Sequence, residues 1–485
     1  MRTVGLEPAS GLEAFWELER FLSEAGAARL ALAELERGCE RRGRELLRLS
    51  LQAHLDCRGD GDVGEALLLN DPDGPVRLTH KRSHTRSLLT IVGPVNFTRV
   101  GYGARGRPSI HPLDRELGLP ARSYSYELCR RLCKGVVLGP FEEAIALIED
   151  FCAVKIPKRS AQQIVLESAV DFDAFYRDRA RQNRRPERGE ILVAAVDCKG
   201  IPMVKPEGAN RVVRRSKGEK ANKKKMATVA AVHSQTPQLR TPQEVLDSLF
   251  LTEPPTPRSQ PRPRPNHKRV WASLTSDKDT FIAGVKAEMT RRDPRRRRTW
   301  VIVTDGERAL QRRVTDSFKD VTLVLDLLHV LEKLWACANA LHRESSPEAV
   351  AFVYQRAGRI LEGQVSQVIK GLRQIVTKRK LTGKKAKTLL DTASYYQRNR
   401  ERMRYDTHLA NGWPIASGSV EGACKNLIRD RFERSGMRWT PPMAEAMLKL
   451  RAIYLSADFD AYWQFHIEQE QQRLYPDGQW SVVPK

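Results

Sequence analysis

Three carboxylates stand where a phosphate-cutting active site could be assembled. Asp197 follows the apolar run ILVAAV, and Asp305 closes the segment WVIVTD and is followed by Gly306. Both runs are predicted strands, and open α/β folds place their sites at strand ends. Glu421 follows the turn SGS and is predicted to open a helix. The sequence therefore offers two strand-end carboxylates and one at a helix start.

This set of oxygen donors suits a hard cation such as Mg²⁺, which binds carboxylates and substrate phosphates. Two such ions, about 4 Å apart, activate a water or a 3′-hydroxyl and stabilise the leaving oxygen of an in-line displacement at phosphorus. We therefore expect Asp197, Asp305 and Glu421 to bind two Mg²⁺ ions, with Mn²⁺ as a possible substitute.

Each carboxylate also has a simple structural interpretation. Asp197 could be an ordinary residue between a strand and a turn, and Asp305 could cap the helix after the turn TDG. Glu421 would lie in a first helical turn, where the helix dipole favours an acid by about 0.3–1 kcal/mol. Taken singly, these signals are not specific. Their order on a strand–strand–strand–helix–strand–helix layout is more informative.

The N-terminal part of the chain is predicted to be mostly helical. Residues 1–60 and 124–173 have apolar residues at helical spacing, and the segment LLTIVGPVNFTRVGY predicts a hairpin around Gly93 and Pro94. Residues 70–87 form a polar break, and residues 111–120 are predicted to be a loop. A helix-turn-helix layout, with its turn near residues 154–158, would place Lys158 and Arg159 at the start of its second helix. An ordinary helical hairpin is the alternative.

A second composition begins near residue 190. Five strands are predicted, in EILVAAV, KKKMATVAAVHSQ, KRVWASLT, RTWVIVT and VTLVL. A proline-rich loop separates the second strand from the third, and a strongly basic helical block runs from about residue 330 to residue 404. This alternation predicts an α/β fold.

Composition points to a polyanionic partner. The chain has 83 Lys and Arg against 59 Asp and Glu, a formal charge of +24, and a pI of about 9.9. Nucleic acid and an anionic membrane surface both fit such a surplus, as does a generally basic proteome.

No apolar run approaches the roughly 20 residues of a spanning helix, so a membrane protein is not expected. The eight cysteines form no CxxC pair, which argues against a zinc ribbon and fits a reduced, cytoplasmic protein.

Several motifs together resemble a known family. The segments VDCKG, VTDGERAL, LDLLHVLEKLW and, most specifically, SGSVEGACKNLIRDRFERSGMRW look like the DDE transposases of bacterial insertion sequences. The nearest group is the Kra-type branch, related to the Mutator-like superfamily. GPVNFTRVGY, HPLDRELGLP and DFDAFYRDRARQ extend the resemblance over roughly residues 85–465. A cysteine-bearing segment that some relatives have after the hairpin is absent, since GYGARGRPSI contains no Cys.

The resemblance implies a ribonuclease-H-like mixed sheet flanked by helices, with a large helical insertion. It implies that Asp197, Asp305 and Glu421 are the catalytic, metal-binding triad. DLLH resembles a C/D-x-x-H motif, which would make Asp326 and His329 accessory residues; for His329, a bond to local backbone is the alternative.

The domains expected on this basis follow the chain. They are a helical region (1–84), a hairpin plus helix-turn-helix-like DNA-binding region (85–187), the first catalytic part (188–329), a helical insertion (330–412), C-terminal catalytic helices (413–470) and a tail (471–485).

Basic residues near these motifs are candidate contacts to DNA phosphates. Counterion release makes such contacts salt-dependent, although solvated charged faces look the same in sequence. Trp439 could stack on a splayed base, but a core anchor is the alternative. The candidates are Lys158, Arg159, Lys223, Lys224, Lys225, Lys425, Arg429, Arg434, Arg438 and Trp439.

The function expected from these observations is DNA transposition. The chain would bind terminal inverted repeats, cut the element ends with Mg²⁺, and join the 3′-hydroxyls to target DNA. A homodimer or larger oligomer on DNA is expected, as is a nucleoid-associated place in the cytoplasm. Two alternatives stay open: an inactive or domesticated DNA-binding descendant, and a structure-specific DNA nuclease.

Overall fold

The structure is a computed structural model that describes residues 9–72, 74–179, 191–204, 224–250 and 265–483. The side chains of residues 9, 10, 419–421 and 435 are outside this description as well. The chain divides into two compact units. The first contains residues 1–175 and 459–485, and the second contains residues 176–458. Residues 459–470, predicted to belong to the C-terminal catalytic helices, therefore group with the N-terminal unit.

The first unit combines helices with two small antiparallel sheets. Its helices are α1 (Ala9–Ser23), α2 (Leu32–Cys57), α3 (Pro112–Glu116), α4 (Tyr126–Leu138), α5 (Phe141–Cys152), α6 (Lys158–Glu167), α7 (Phe172–Arg179, which crosses the boundary) and, late in the chain, α19 (Phe459–Leu474). One sheet has the order β10-β1-β2 and the other pairs β3 with β4. Their strands are β1 (Leu67–Asp71), β2 (Gly74–Leu78), β3 (His80–Thr90), β4 (Gly93–Gly103) and β10 (Trp480–Val482).

The hairpin predicted around Gly93 is present, and it is longer than expected. Strand β3 pairs with β4 from His80 opposite Gly103 to Thr90 opposite Gly93. Gly93 has φ 126, in the region that favours glycine, and it begins β4 after a two-residue connection. The prediction of a polar break over residues 70–87 is wrong, because these residues supply parts of β1, β2 and β3. Most β3 side chains from His80 to Ser87 are exposed, so the strand does not need apolar alternation.

Two further local predictions, a loop over residues 111–120 and a helix-turn-helix, have different outcomes in the structure. The segment 111–120, predicted to be a loop, contains the short helix α3, which begins with Pro112 at its first position. The two helices of the predicted helix-turn-helix are present as α5 and α6, and Lys158 begins α6. Ala153, between them, adopts the left-handed conformation that ends α5.

The second unit is an α/β structure around one five-stranded mixed sheet with the order β7-β6-β5-β8-β9. The five predicted strands are its strands. They are β5 (Ile191–Pro202), β6 (Lys224–Gln235), β7 (Asn266–Ser273), β8 (Trp300–Thr304) and β9 (Thr322–Leu325). Strand β5 is central: it pairs antiparallel with β6 and parallel with β8, which pairs parallel with β9.

The middle of this sheet is buried, which explains why its strands are readable in the sequence. Every residue from Ile191 to Val196 and from Trp300 to Thr304 is buried. Strands covered on both faces have continuous apolar runs rather than alternation. Helix α9 (Lys278–Arg292) packs on the sheet through Phe281, whose ring lies 6.0 Å from that of Trp271.

Helices account for most of the rest of the second unit. They are α8 (Pro242–Phe250), α10 (Arg308–Ser317), α11 (Leu327–Leu341), α12 (Pro347–Leu361), α13 (Val365–Lys378), α14 (Gly383–Asn399), α15 (Tyr405–Ala410), α16 (Gly418–Ala423), α17 (Asp430–Phe432) and α18 (Pro441–Leu455). The predicted basic helical block corresponds to α11–α14. Helix α8 lies within the segment predicted to be a proline-rich loop, of which residues 251–264 are outside the described residues.

Within the described part of the chain, none of these helices combines the length and the apolar character needed to cross a bilayer.

Candidate active site

Three aspartates follow the same row of the central sheet. Val196 of β5 is paired with Thr304 of β8, and Thr304 is paired with Leu325 of β9. The residues that follow Val196, Thr304 and Leu325 in the sequence are Asp197, Asp305 and Asp326, respectively. Because neighbouring strands are about 4.8 Å apart, these residues lie side by side at the carboxyl end of three parallel strands. The backbone N–H of Asp326 still donates to the Thr304 carbonyl at 3.0 Å.

The prediction that Asp197 ends its strand is wrong in one respect. Strand β5 continues to Pro202, because it forms a long antiparallel hairpin with β6, in which Asp197 is opposite Val229. Only the parallel pairing with β8 stops at Val196. Asp197 is therefore at the point where β5 leaves β8, which still places it beside Asp305.

The Asp197 carboxylate is held by two contacts. Its Oδ1 accepts a hydrogen bond from the backbone N–H of Cys198 at 2.6 Å, and its Oδ2 accepts one from the Cys424 thiol at 3.2 Å. Cys424 is buried, and burial together with the charge of Asp197 raises the pKa of its thiol. Cys424 therefore stays protonated and acts as a donor. No sequence pattern indicates this contact, because it joins residues 227 positions apart.

Asp305 is half-buried, and its Oδ1 accepts a hydrogen bond from the Glu307 backbone N–H at 3.1 Å. Burial raises the pKa of its carboxyl group, and the negative charge of Asp197 raises it further; the Glu307 N–H and His329 act in the opposite direction. The net shift is upward, so ionised Asp305 is disfavoured in this environment. A bound cation would reverse this effect.

Asp326 is more deeply placed than its neighbours, with 2% of its surface exposed. Its Oδ1 caps α11 by accepting from the Leu328 N–H at 2.8 Å, and its Oδ2 accepts from the hydroxyl and, at 3.3 Å, the N–H of Ser417. Ser417 immediately precedes α16, the helix that contains Glu421. Asp326 therefore ties the start of α16 to the edge of the sheet.

His329 lies one turn into α11, close to the same edge. Its Nδ1 is 3.2 Å from Glu332 Oε2. Burial lowers the pKa of the imidazole, but the charges of Asp326, Glu332 and Asp197 outweigh it, so the net shift is upward. The ring thus contacts a side chain of its own helix, and it is within electrostatic reach of all three aspartates.

Glu421 is in α16, three residues before Cys424, and its side chain is outside the described part of the structure. The helix does not continue regularly, because Cys424–Arg429 forms a π-helix before α17 begins. Such π-bulges occur frequently at functional sites. Lys425 and Arg429 are both exposed on this π-helix. Their angular positions about the helix axis relative to Glu421 therefore differ from those in a continuous α-helix.

Tyr395 and Lys278 are two further residues at this site that sequence reasoning missed. The Tyr395 phenol, from α14, lies directly against Gly306. Lys278, at the start of α9, donates to Glu307 Oε2 at 3.3 Å, and its charge acts on the nearby Cys198 thiol. Neither residue is in a recognisable motif, so only the tertiary structure identifies them.

The predicted DNA contacts have different environments. Lys158 pairs with Glu142 and Lys224 pairs with Glu433 at 2.6 Å, and both lysines are exposed. Lys223 is outside the described residues. The other predicted cations are exposed: Arg159, Lys225, Lys425, Arg429, Arg434 and Arg438.

Trp439 is buried, with 5% of its surface exposed. Its indole N–H donates to the Phe432 carbonyl at 3.2 Å, and the two rings lie 4.6 Å apart. Its backbone forms a bridge with Met203 beside the end of β5. Of the two interpretations offered by the sequence, this placement fits the core anchor rather than the base-stacking residue.

Among the described side chains, no group of three His, Cys, Asp or Glu residues is arranged to hold a metal ion. The side chain of Glu421, the third member of the predicted triad, is not among these described side chains. Asp197 and Asp305 together present hard oxygen donors from neighbouring strands, and mutual repulsion contributes to the raised pKa of Asp305. The chemistry of this pair fits a divalent cation.

Neither the known protein families nor the curated proteins contain a match to this sequence. Among solved structures, a Drosophila P element transposase strand transfer complex is similar over 72% of this chain and 84% of that chain, with 12% identity and a TM-score of 0.24.

Proposed function

We propose that this chain is a DNA transposase of the insertion-sequence DDE type, with a ribonuclease-H-like catalytic domain. It would cut DNA at the ends of an insertion sequence and transfer the resulting 3′-hydroxyls into target DNA. The observation that carries the proposal is the shared position of Asp197 and Asp305, directly after the last paired row of two parallel strands. A mixed sheet accompanied by helices, as in the second unit, is also what the family resemblance implies.

Asp197, Asp305 and Glu421 are the residues that would hold Mg²⁺ at this edge. The bound ions would supply Lewis-acid stabilisation of the attacking and leaving oxygens at phosphorus. Other residues of the chain hold these carboxylates in position. Cys424 and the Cys198 N–H orient Asp197, while the Glu307 N–H orients Asp305. Asp326 holds Ser417 and thereby the start of the helix that contains Glu421.

Exposed cations near this edge are suited to guide the DNA backbone. Lys425 and Arg429 project from the π-helix that follows Glu421, and neither is part of an ion pair described in the structure. Lys225 is opposite Ile201, four residues beyond Asp197 on the hairpin, which is roughly 13 Å along an extended strand. The chain's formal charge of +24 fits a polyanionic substrate.

The test is cleavage of DNA that contains the ends of the element flanking the gene. Asp197→Ala, Asp305→Ala and Glu421→Ala should each reduce Mg²⁺-dependent cleavage by about 10³-fold or more, since groups that act as a unit lose most of the rate together. Asp316→Ala is a matched control, because Asp316 is an exposed acid on α10, the helix that follows Asp305. Cleavage that survives in any triad variant would refute the role of that residue.

The products distinguish the alternatives. Joined strand-transfer products support a transposase, whereas cutting of branched DNA without joining would indicate a structure-specific nuclease. Tight binding to the ends without cleavage, in either Mg²⁺ or Mn²⁺, would indicate a DNA-binding descendant. Because two ends must be brought together, we expect at least a dimer in the DNA complex, measurable by analytical ultracentrifugation.

A further inference from the structure

The side chain of Tyr395, in α14, contacts the turn that follows β8. Tyr395 of α14 lies so close to Gly306 that a Cβ at position 306 would collide with its hydroxyl, Cζ and Cε2 atoms. Gly306 directly follows Asp305. The phenol hydroxyl therefore lies at the turn that positions one of the two strand-end carboxylates.

The position of Tyr395 is fixed by its neighbours. The next residue, Tyr396, is fully buried, and its hydroxyl donates to the Val330 carbonyl of α11 at 2.7 Å. Lys333 of α11 places its ammonium 5.7 Å from the centre of the Tyr395 ring. Asn399 donates to the Tyr395 carbonyl at 2.9 Å. Helix α14 is thus anchored on α11, the helix that Asp326 caps.

The hydroxyl of Tyr395 differs from those of two nearby tyrosines. Tyr396 and Tyr405 both donate to backbone carbonyls, the latter to Leu325 at 2.7 Å. Tyr395 is half-buried, and among the described residues its hydroxyl has no hydrogen-bond partner. A tyrosine in such a position normally finds a partner for its O–H group. Beside Asp305, an unused donor points to an oxygen atom of a substrate.

We propose that the Tyr395 hydroxyl is a catalytic group that donates a hydrogen bond to a non-bridging oxygen of the scissile phosphate. This inference rests on the proposed function, since it assigns the phosphate to the edge formed by Asp197 and Asp305. A protonated phenol offers a donor without adding charge. Burial, together with the nearby charge of Asp305, raises the pKa of the Tyr395 phenol above its ordinary value. Gly306 supplies the clearance that lets the ring reach this position.

The experiment compares Tyr395→Phe with wild type on end-containing DNA in Mg²⁺. Loss of one donor to charge that develops in the transition state should reduce kcat by about 10²-fold, while the affinity for DNA stays within about twofold. Tyr354→Phe is the matched control, because it removes a tyrosine hydroxyl on α12 that accepts from the Gln243 side chain at 3.1 Å. It should leave the cleavage rate of the folded protein unchanged.

A second variant keeps the inference testable if Tyr395→Phe does not fold. Gly306→Ala displaces the phenol by steric contact while keeping the hydroxyl, and it should reduce kcat to a similar extent. An unchanged kcat in folded Gly306→Ala would overturn the inference. Where Tyr395→Phe folds, the double variant should lose no more than the larger single loss if both act through that hydroxyl, and additive losses would also overturn the inference.

The outcomes also separate this inference from the proposed function. If wild type cleaves DNA and folded Tyr395→Phe cleaves at the same rate, the role of Tyr395 is refuted while the proposed function stands. If wild type does not cleave end-containing DNA, the proposed function fails and the role of Tyr395 fails with it.

Discussion

Glu288 and Asp305 are acidic residues of the same unit in opposite electrostatic settings. Glu288 has 3% of its surface exposed and contacts Arg269 at 2.6 Å, Arg291 at 2.5 Å and Arg292 at 2.6 Å. Burial alone would raise the pKa of its carboxyl, but the charges of these arginines outweigh it and hold the pKa well below its usual range. Glu288 is therefore an ionised structural group.

At Asp305, by contrast, burial and the charge of Asp197 raise the pKa. Natural folds pair buried charges when they serve structure, and perturbed groups left without such compensation are concentrated at functional sites. The comparison indicates that the chain neutralises Glu288 internally and leaves the Asp197–Asp305 edge with excess negative charge. We interpret that excess as preparation for a cation and a phosphate.

The largest expected effect on stability comes from breaking the structural cluster. Glu288→Gln keeps the side-chain volume but leaves three arginines without their shared carboxylate, so we expect a loss of about 3–5 kcal/mol in the free energy of unfolding. Denaturant titration measures this loss. Glu401→Gln is the control, because Glu401 forms an exposed pair with Arg400 and should change stability by less than about 1 kcal/mol. A similarly small effect for Glu288→Gln would contradict the assignment of Glu288 as an ionised group that stabilises the fold.

Asp305→Asn should change the free energy of unfolding in the opposite direction to Glu288→Gln. Removing a carboxylate whose ionised form is disfavoured should increase the free energy of unfolding slightly, by less than about 1 kcal/mol in the absence of divalent cations, while abolishing DNA cleavage. The same denaturant titration, in chelator, checks the sign. A clear loss of stability would show that Asp305 serves the fold rather than a site.

The two residues should also differ in pH dependence. For Glu288, the folded-state pKa is below the ordinary value of 4.5, so its stabilisation is complete above that value and decreases as the pH falls below it. For Asp305, the folded-state pKa is above the ordinary value of 3.8, so its destabilisation is present at neutral pH and disappears as the pH falls through that raised pKa.

Unfolding free energies of wild type and both variants between pH 7 and the acid limit of folding would test these signs. The deficit of Glu288→Gln should shrink on acidification, and so should the advantage of Asp305→Asn. A deficit or an advantage that grows toward acid would contradict the assigned direction of the shift.

The smallest effect concerns the thiol that contacts Asp197. Cys424→Ala removes the donor to Oδ2 and should reduce cleavage by about two- to tenfold, the equivalent of one ordinary hydrogen bond. Cys424→Ser retains a hydroxyl donor at this position and should keep more of the activity. Equal losses in both variants would show that the volume of Cys424 matters rather than its hydrogen bond.

The sequence predicted the sheet well because its strands are buried on both faces and have continuous apolar runs. That reasoning located Asp197 and Asp305, since each directly follows such a run. Asp326 also follows such a run, but only the resemblance of DLLH to a family motif singles it out in the sequence. It failed where pairing rather than hydrophobicity sets the structure. Strand β3 is polar and exposed, and β5 continues past Asp197 because β6 pairs with it.

The contacts at the site itself were beyond sequence reasoning for a related reason. Cys424 and Tyr395 reach the sheet edge only through the packing of α14 and of the helices after Ser417. The basic run from Arg291 to Arg298 illustrates the converse. Basic runs of this kind are typical of phosphate contacts, but Arg291 and Arg292 pair with Glu288. Charge composition indicates a partner class, whereas tertiary structure decides which charges are available to it.

The most direct test of the Asp197–Asp305 edge is a calorimetric titration of the protein with Mn²⁺. Wild type should bind Mn²⁺, and Asp197→Asn and Asp305→Asn should each weaken binding by about tenfold or more, since even residues behind the ligands of a metal site contribute that much. The exposed control Asp316→Asn should bind like wild type. Equal Mn²⁺ affinity in wild type and in both edge variants would contradict the account.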